Sequence, residues 1–71
     1  MPNETFALIR LYTGMSQKDF AEHIGVSKGT VGMIETGQRS VTPYVRAKLA
    51  AKFELDDAFF VFLEKFHKLS H

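Results

Sequence analysis

Apolar residues recur along this chain at one-turn spacing, and each amphipathic stretch is bounded by a capping residue or a glycine. The first predicted helix runs from about Asn3 or Glu4 to Thr13 and stops at Gly14, a residue suited to a left-handed C-terminal position. Ser16 opens a second helix, Gln17 to about Ile24, with its hydroxyl free to take an orphan amide and Asp19 near the positive helix end. Phe20, Ala21 and Ile24 fall on one face of it. Gly25-Val26 makes a tight turn, Ser27 caps a third helix from Lys28 to Glu35, and Gly37 ends that helix. Thr42-Pro43 is the clearest start signal, an N-cap followed by proline at the first helical position. The helix it opens carries Val45, Leu49 and Phe53 at i, i+4 and i+8. Asp56 or Asp57 caps a last helix, about Ala58 to Leu69. No stretch alternates long enough to be a strand, so the expected fold is all-α. It is a compact five-helix domain covering residues 1–71, with no linker dividing it.

The C-terminal helix has the least selective pattern. Phe59, Phe60, Phe62 and Phe66 place four of the seven phenylalanines in the last thirteen residues. At the helical 100° per residue, Phe59, Phe62, Leu63, Phe66 and Leu69 form one stripe, and Phe60 and Val61 lie off it. A chain this short has little core to cover two faces at once. Phe59, Phe60, Val61, Phe62 and Phe66 are therefore read as an interface with a second copy or another protein. The alternative is one core face with incidental apolar exposure.

Composition narrows the function. Hydrophobic residues at 45% and charged residues at 24% are ordinary for a globular chain. The absence of cysteine excludes a disulfide or cysteine-ligated zinc, so stability rests on helix packing, oligomerisation or both. The longest apolar run, Ala58 to Leu63, is far short of the ~20 residues of a membrane span. Met1 to Thr5 has neither the basic flank nor the cleavage site of a signal peptide, which makes the cytoplasm the expected compartment. His23, His67 and His71 lack the ligand spacing of a zinc site. No nucleophile–base pair, paired carboxylate set or phosphate-cradling loop emerges, so no catalysis, metal or cofactor is expected. Nine Lys+Arg against eight Asp+Glu leave a net charge of +1, and only modest attraction for phosphate.

One stretch carries more. Gln17 to Thr36 fits the twenty-residue helix-turn-helix pattern. Ala21 is the small residue that a steep helix crossing needs, and Gly25 is free to take the positive φ of the turn. Phe20, Ile24, Val26, Val31 and Ile34 supply the inward side. The run Ser16-Gln17-Lys18-Asp19-Phe20-Ala21-Glu22-His23-Ile24-Gly25-Val26-Ser27, followed by Val31-Gly32-Met33-Ile34-Glu35-Thr36-Gly37-Gln38-Arg39, resembles the Cro/C1-type helix-turn-helix family of phage and bacterial regulators. The resemblance covers about Phe6 to Phe60. It implies a fold of lambda-repressor-like type, double-stranded DNA as partner, and a structural ion pair between Arg10 and Glu35. It also implies that the first helix of the motif crosses the DNA backbone while the second enters the major groove.

Residue by residue, Gln17 matches the family glutamine that reaches a phosphate and braces the start of the recognition helix, where Lys28 stands. Val31 and Ile34 face inward by the 100° rule, and Lys28, Gly29, Gly32 and Met33 face out. Lys28 is placed to donate to guanine O6 or N7, or to a phosphate; Thr30, on the flank, to meet a phosphate or a thymine methyl. Arg39, Thr42, Arg46 and the Tyr44 hydroxyl are the expected backbone contacts, and Ser27 and Gln38 complete the expected DNA-facing set.

The outward face departs from the family pattern. Two glycines and a methionine stand where polar amides or basic side chains are usual. A helical glycine costs about 1 kcal/mol relative to alanine, so either another surface approaches closely here or the site is weak and has drifted. The expected function is a dimeric, sequence-specific DNA-binding transcriptional regulator, Cro-like, at a phage lysis–lysogeny switch. The alternative is an antirepressor that grips a repressor protein. The resemblance includes modulator-of-repression proteins from temperate phages of lactic-acid bacteria, which work that way.

Overall fold

Hydroxyl and carboxylate caps set where most helices of this chain begin. The computed structural model describes the backbone of residues 1–70 and the side chains of residues 1–65. Readings that involve the side chains of Phe66, His67 and Leu69, or His71, lie outside the described residues. Five helices follow one another: α1 (Asn3–Thr13), α2 (Gln17–Ile24), α3 (Lys28–Glu35), α4 (Pro43–Ala50) and α5 (Asp57–Ser70). No strand occurs among the described residues, and the fold is all-α. Ser16 Oγ accepts from the Asp19 amide at 3.1 Å, Ser27 Oγ from Thr30 at 3.1 Å and Thr42 Oγ1 from Val45 at 3.2 Å. Asp56 Oδ1 does the same for the Phe59 amide at 2.8 Å. Each cap satisfies one donor that the helix itself leaves unpaired.

The core gathers one residue row from every helix. Phe6 and Ile9 of α1, Phe20, Ala21 and Ile24 of α2, Val31 and Ile34 of α3, Val45 and Leu49 of α4 and Leu63 of α5 are all buried. At its centre Phe6 and Phe20 meet edge to face, with ring centroids 5.5 Å apart. That geometry sets the positive rim of one ring against the negative face of the other. The Cα radius of gyration is 11.4 Å. That is close to the ~11 Å expected of a compact chain this long, so no helix is left extended from the body.

Two sequence expectations are corrected. The fourth helix ends at Ala50, not at the i+8 position. The Lys52 and Phe53 amides both turn back to the Leu49 carbonyl, and Phe53 reaches the core from that turn. Its ring stacks on Phe20 at 6.0 Å and meets His23 edge-on at 5.7 Å. The stripe on α5 is also rotated. Phe60, expected off the core face, is half-buried against the core beside Leu8 and Leu63. Phe62, which the 100° rule puts on one stripe with Leu63 and which was also read as an interface residue, is 47% exposed. In a helix apolar around most of its circumference, burial of Leu63 against α1 decides the phase, and the 100° rule alone does not.

This rotation predicts unequal losses. Leu63→Ala should lower unfolding free energy by about 2–4 kcal/mol, and Phe62→Ala by less than about 1 kcal/mol. Urea denaturation of both variants checks this, and equal losses would favour the stripe read from sequence.

Candidate nucleic-acid interface

The α2–α3 pair forms the helix-turn-helix, and backbone geometry sets its angle. Gly25 closes α2 at φ 86°, which a side chain would strain, while its amide and that of Val26 both return to the Ala21 carbonyl. At the far end of α3, Gly37 takes φ 80°, with the Gly37 amide on Ile34 O and the Gln38 amide on Met33 O. This is a Schellman turn, and it turns Arg39 back toward α3. Asn3 holds that exit from outside: its Nδ2 donates to Ile34 O at 3.0 Å and to Arg39 O at 2.7 Å. Sequence reasoning treated Asn3 as a helix start alone. Nothing in its local sequence signals a contact more than thirty positions away.

Arg10 and Glu35 form a two-pronged ion pair between α1 and α3. Nε donates to Oε2 at 2.5 Å and Nη2 to Oε1 at 2.8 Å, with the side chains 18% and 11% exposed. Arg10 Nη1 donates in addition to the Met15 carbonyl, just ahead of α2. Gln17 Nε2 donates to the same Glu35 Oε1 at 3.2 Å. The Gln17 amide is therefore braced on Glu35 at the end of α3, whereas the resemblance implied bracing with Lys28 at its start. Burial pushes the Glu35 carboxyl up, but hydrogen bonds from Arg10 and Gln17 and the Arg10 charge outweigh it, leaving its pKa below the ordinary 4.5. The same hydrogen bond to Glu35 holds the Arg10 guanidinium above its usual value.

The structure separates the expected DNA-facing residues into groups. Lys28, Gly29 and Met33 are exposed on α3, and Gly32 is half-exposed beside Gln17. Ser27, Thr30, Arg39, Thr42 and Tyr44 surround an open hollow of about 310 Å³ where α3 and α4 begin. Within it the Ser27 and Thr30 hydroxyls are 2.8 Å apart, and Arg39 Nη1 donates to Thr30 Oγ1 at 3.3 Å. Gln38 points its amide at Thr36 Oγ1, at the exit of α3. Arg46 stands apart, lining another hollow with Phe53 and Glu54. A cation absent from the sequence reading joins the site: Lys48 Nζ lies 5.4 Å from the Tyr44 ring centroid and close to Gly25. The i, i+4 spacing of Tyr44 and Lys48 was the signal for it. Among the described residues no three His, Cys, Asp or Glu side chains converge as a metal-binding group. No helix among them is long and apolar enough to cross a membrane.

The apolar residues of the C-terminal helix are likewise divided. Phe59 is half-buried, and Val61 at 49% and Phe62 at 47% are exposed. Tyr12, itself 55% exposed, offers its ring to both Phe59 and Phe62, at 6.0 and 5.3 Å.

A helix-turn-helix braced on α1, with hydroxyls and cations where its second helix starts, defines a DNA-binding module. Residues 8–60 match the model of the Helix-turn-helix family, and the chain belongs to that family, in its Cro/C1-type form. It is a DNA-binding transcription regulator whose partner is double-stranded DNA. The family is one of regulators and not typically of enzymes. Searches of curated proteins and of solved structures gave no match.

Because the folded Glu35 pKa is lowered, its pair stabilises the fold fully above about pH 4.5, and that contribution disappears as pH falls through the lowered value. Glu35→Ala should cost about 3 kcal/mol near neutral pH by leaving Arg10 unpaired. The variant should then lose less further stability than wild type on acidification. Thermal melts from neutral pH down to about pH 3 check both effects, and coincident curves would make the pair energetically inert.

Proposed function

We propose that this chain is a sequence-specific, Cro-like regulator that reads operator DNA with the outward face of α3 at a phage lysis–lysogeny switch, in the host cytoplasm. The observation that carries the reading is the Arg39–Thr30–Ser27 cluster beside the exposed Lys28. Hydroxyl and guanidinium donors at the start of α3 suit phosphates flanking a groove, while Lys28 reaches a base edge. The resemblance to Cro/C1-type regulators supports the setting.

Self-association completes the proposal. Tyr12 and Phe62, in contact and each about half exposed, with the half-exposed Leu11 and Val61 next to them in sequence, offer apolar surface that a second copy would cover, pairing two α3 helices on a two-fold operator. Phe60 is half-buried against the core, so it packs the protomer as much as it serves an interface.

The antirepressor reading is favoured by one observation: Met33 is 38% exposed on a face where Lys28 is the sole charge among Lys28, Gly29, Gly32 and Met33. Such a surface gains from expelling water against a protein.

Lys28→Ala should weaken specific binding by about 1–3 kcal/mol and relax preference at one base pair. Arg39→Ala should weaken specific and non-specific binding alike and make the salt dependence shallower. Salt-dependent gel shifts on the promoter region of its own gene measure both. Unchanged affinity and slope in both folded variants, with tight capture of the neighbouring repressor, would favour the antirepressor.

A separate expectation concerns assembly. Phe62→Asp should abolish self-association in sedimentation equilibrium and leave the monomer folded, because that ring is half in solvent already. A wild-type chain that stays monomeric at high concentration would remove the dimer from the proposal.

A further inference from the structure

Gly29 and Gly32 have no explanation inside the molecule. Neither adopts the left-handed backbone seen at Gly14, Gly25 and Gly37. A Cβ added at Gly29 would meet nothing nearer than Ser27 Oγ at 3.9 Å, and at Gly32 nothing nearer than Gln17 Oε1 at 3.7 Å. Both are ordinary van der Waals separations. The fold has room for alanine at each site, and Gly32, in the body of an eight-residue helix, forgoes helix propensity by not having it. Turn geometry, strain and internal packing are the usual reasons for a helical glycine. None applies here.

The neighbours on that face indicate what it meets. Gly29 and Met33 are i, i+4, as are Lys28 and Gly32, so the four side-chain positions lie in two adjacent rows. Lys28 is the single hydrogen-bonding side chain of the four, and guanine presents the O6 and N7 acceptors that suit it. Met33 has only an exposed, unbranched thioether to offer. Among base edges in the major groove, the apolar feature is the C5-methyl group of thymine. Were such a methyl to lie against the helix backbone, a Cβ at position 29 or 32 would stand between the two.

Resting on the DNA-reading function proposed above, we propose that α3 recognises thymine methyl groups through Met33 and the bare backbone at Gly29 and Gly32, next to a guanine taken by Lys28. Selectivity for the thymine then comes from shape and dryness. None of Lys28, Gly29, Gly32 and Met33 carries an amide for a bidentate contact.

The test begins by selecting preferred duplexes from a random library with the full chain, then replacing each thymine of the selected site by deoxyuridine, which deletes the methyl alone. At one or two positions the wild type should bind about fourfold less tightly, the worth of one apolar carbon removed from water. Met33→Ala should lose that discrimination while still folding. Gly32→Ala should raise Tm by about 4 °C or more, since helix propensity improves. It should nonetheless weaken binding to the selected duplex by about tenfold, from overpacking at the contact, with the salt slope unchanged. Affinity indifferent to deoxyuridine at every position, or a Gly29→Ala, Gly32→Ala double variant that binds like wild type, overturns the inference and leaves the DNA-reading function standing. A library that yields no preferred sequence overturns both.

Discussion

A carboxylate that is 11% exposed on the last turn of α3 has to be neutralised where it stands, and Arg10 does so from a different helix. The fork of the guanidinium fixes direction as well as charge, because both Glu35 oxygens are engaged. The third prong, on the Met15 carbonyl, draws in the start of α2, and Gln17 closes the loop from α2 to α3. Three helices are thus held by one group of polar contacts, while Phe6, Phe20 and Ile34 pack beneath them without orientational preference of comparable strength. Replacing such a pair by well-packed apolar residues is often neutral for stability, so its particular contribution here is the pose of α3 on α1 and α2.

That pose matters because α3 has little helical stability of its own. It is eight residues long, well below the length at which an isolated helix is more than marginal in water, and two of the eight are glycine. Its persistence depends on what holds its ends. Ser27 caps the start, the turn at Gly37 closes the finish, and Asn3 clamps that turn from α1. Val31 and Ile34 anchor the middle through the core. Rigidity along α3 is supplied by the scaffold, which leaves its outward positions free of any folding requirement.

The helix boundaries were legible because caps are local chemistry: Ser16, Ser27, Thr42 and Asp56 each accept an amide three residues ahead. The helix-turn-helix was legible for the same reason, since Ala21, Gly25 and the inward row sit close together in sequence. The phase of α5 was not. When neighbouring positions are all apolar, the wheel has no polar side to set it: Leu63 is buried with its stripe, but Phe60, off that stripe, packs on the core and Phe62, on it, does not. Phe53 illustrates a related failure, because i+8 spacing assumes a helix that the turn at Leu49 has already ended. Asn3 to Arg39, and Gln17 to Glu35 in place of Lys28, are long-range choices among several polar partners, and no periodicity encodes them.

The low net charge bears on how such a reader would discriminate. Contacts to phosphate strengthen every site on DNA alike and weaken with salt, whereas apolar contact in a groove depends little on ionic strength and strongly on the base. A chain at +1 gains little from the first kind beyond what local cations provide. Arg39 lines the hollow where α3 and α4 begin, and Lys48 lies close to Gly25 at its edge. Because phosphate contacts add alike to specific and non-specific binding, they cancel in the ratio of the two, and base contacts of the kind proposed for Lys28 and Met33 would set that ratio. Contacts made through bare helix backbone, as proposed at Gly29 and Gly32, would avoid the entropy of ordering long side chains.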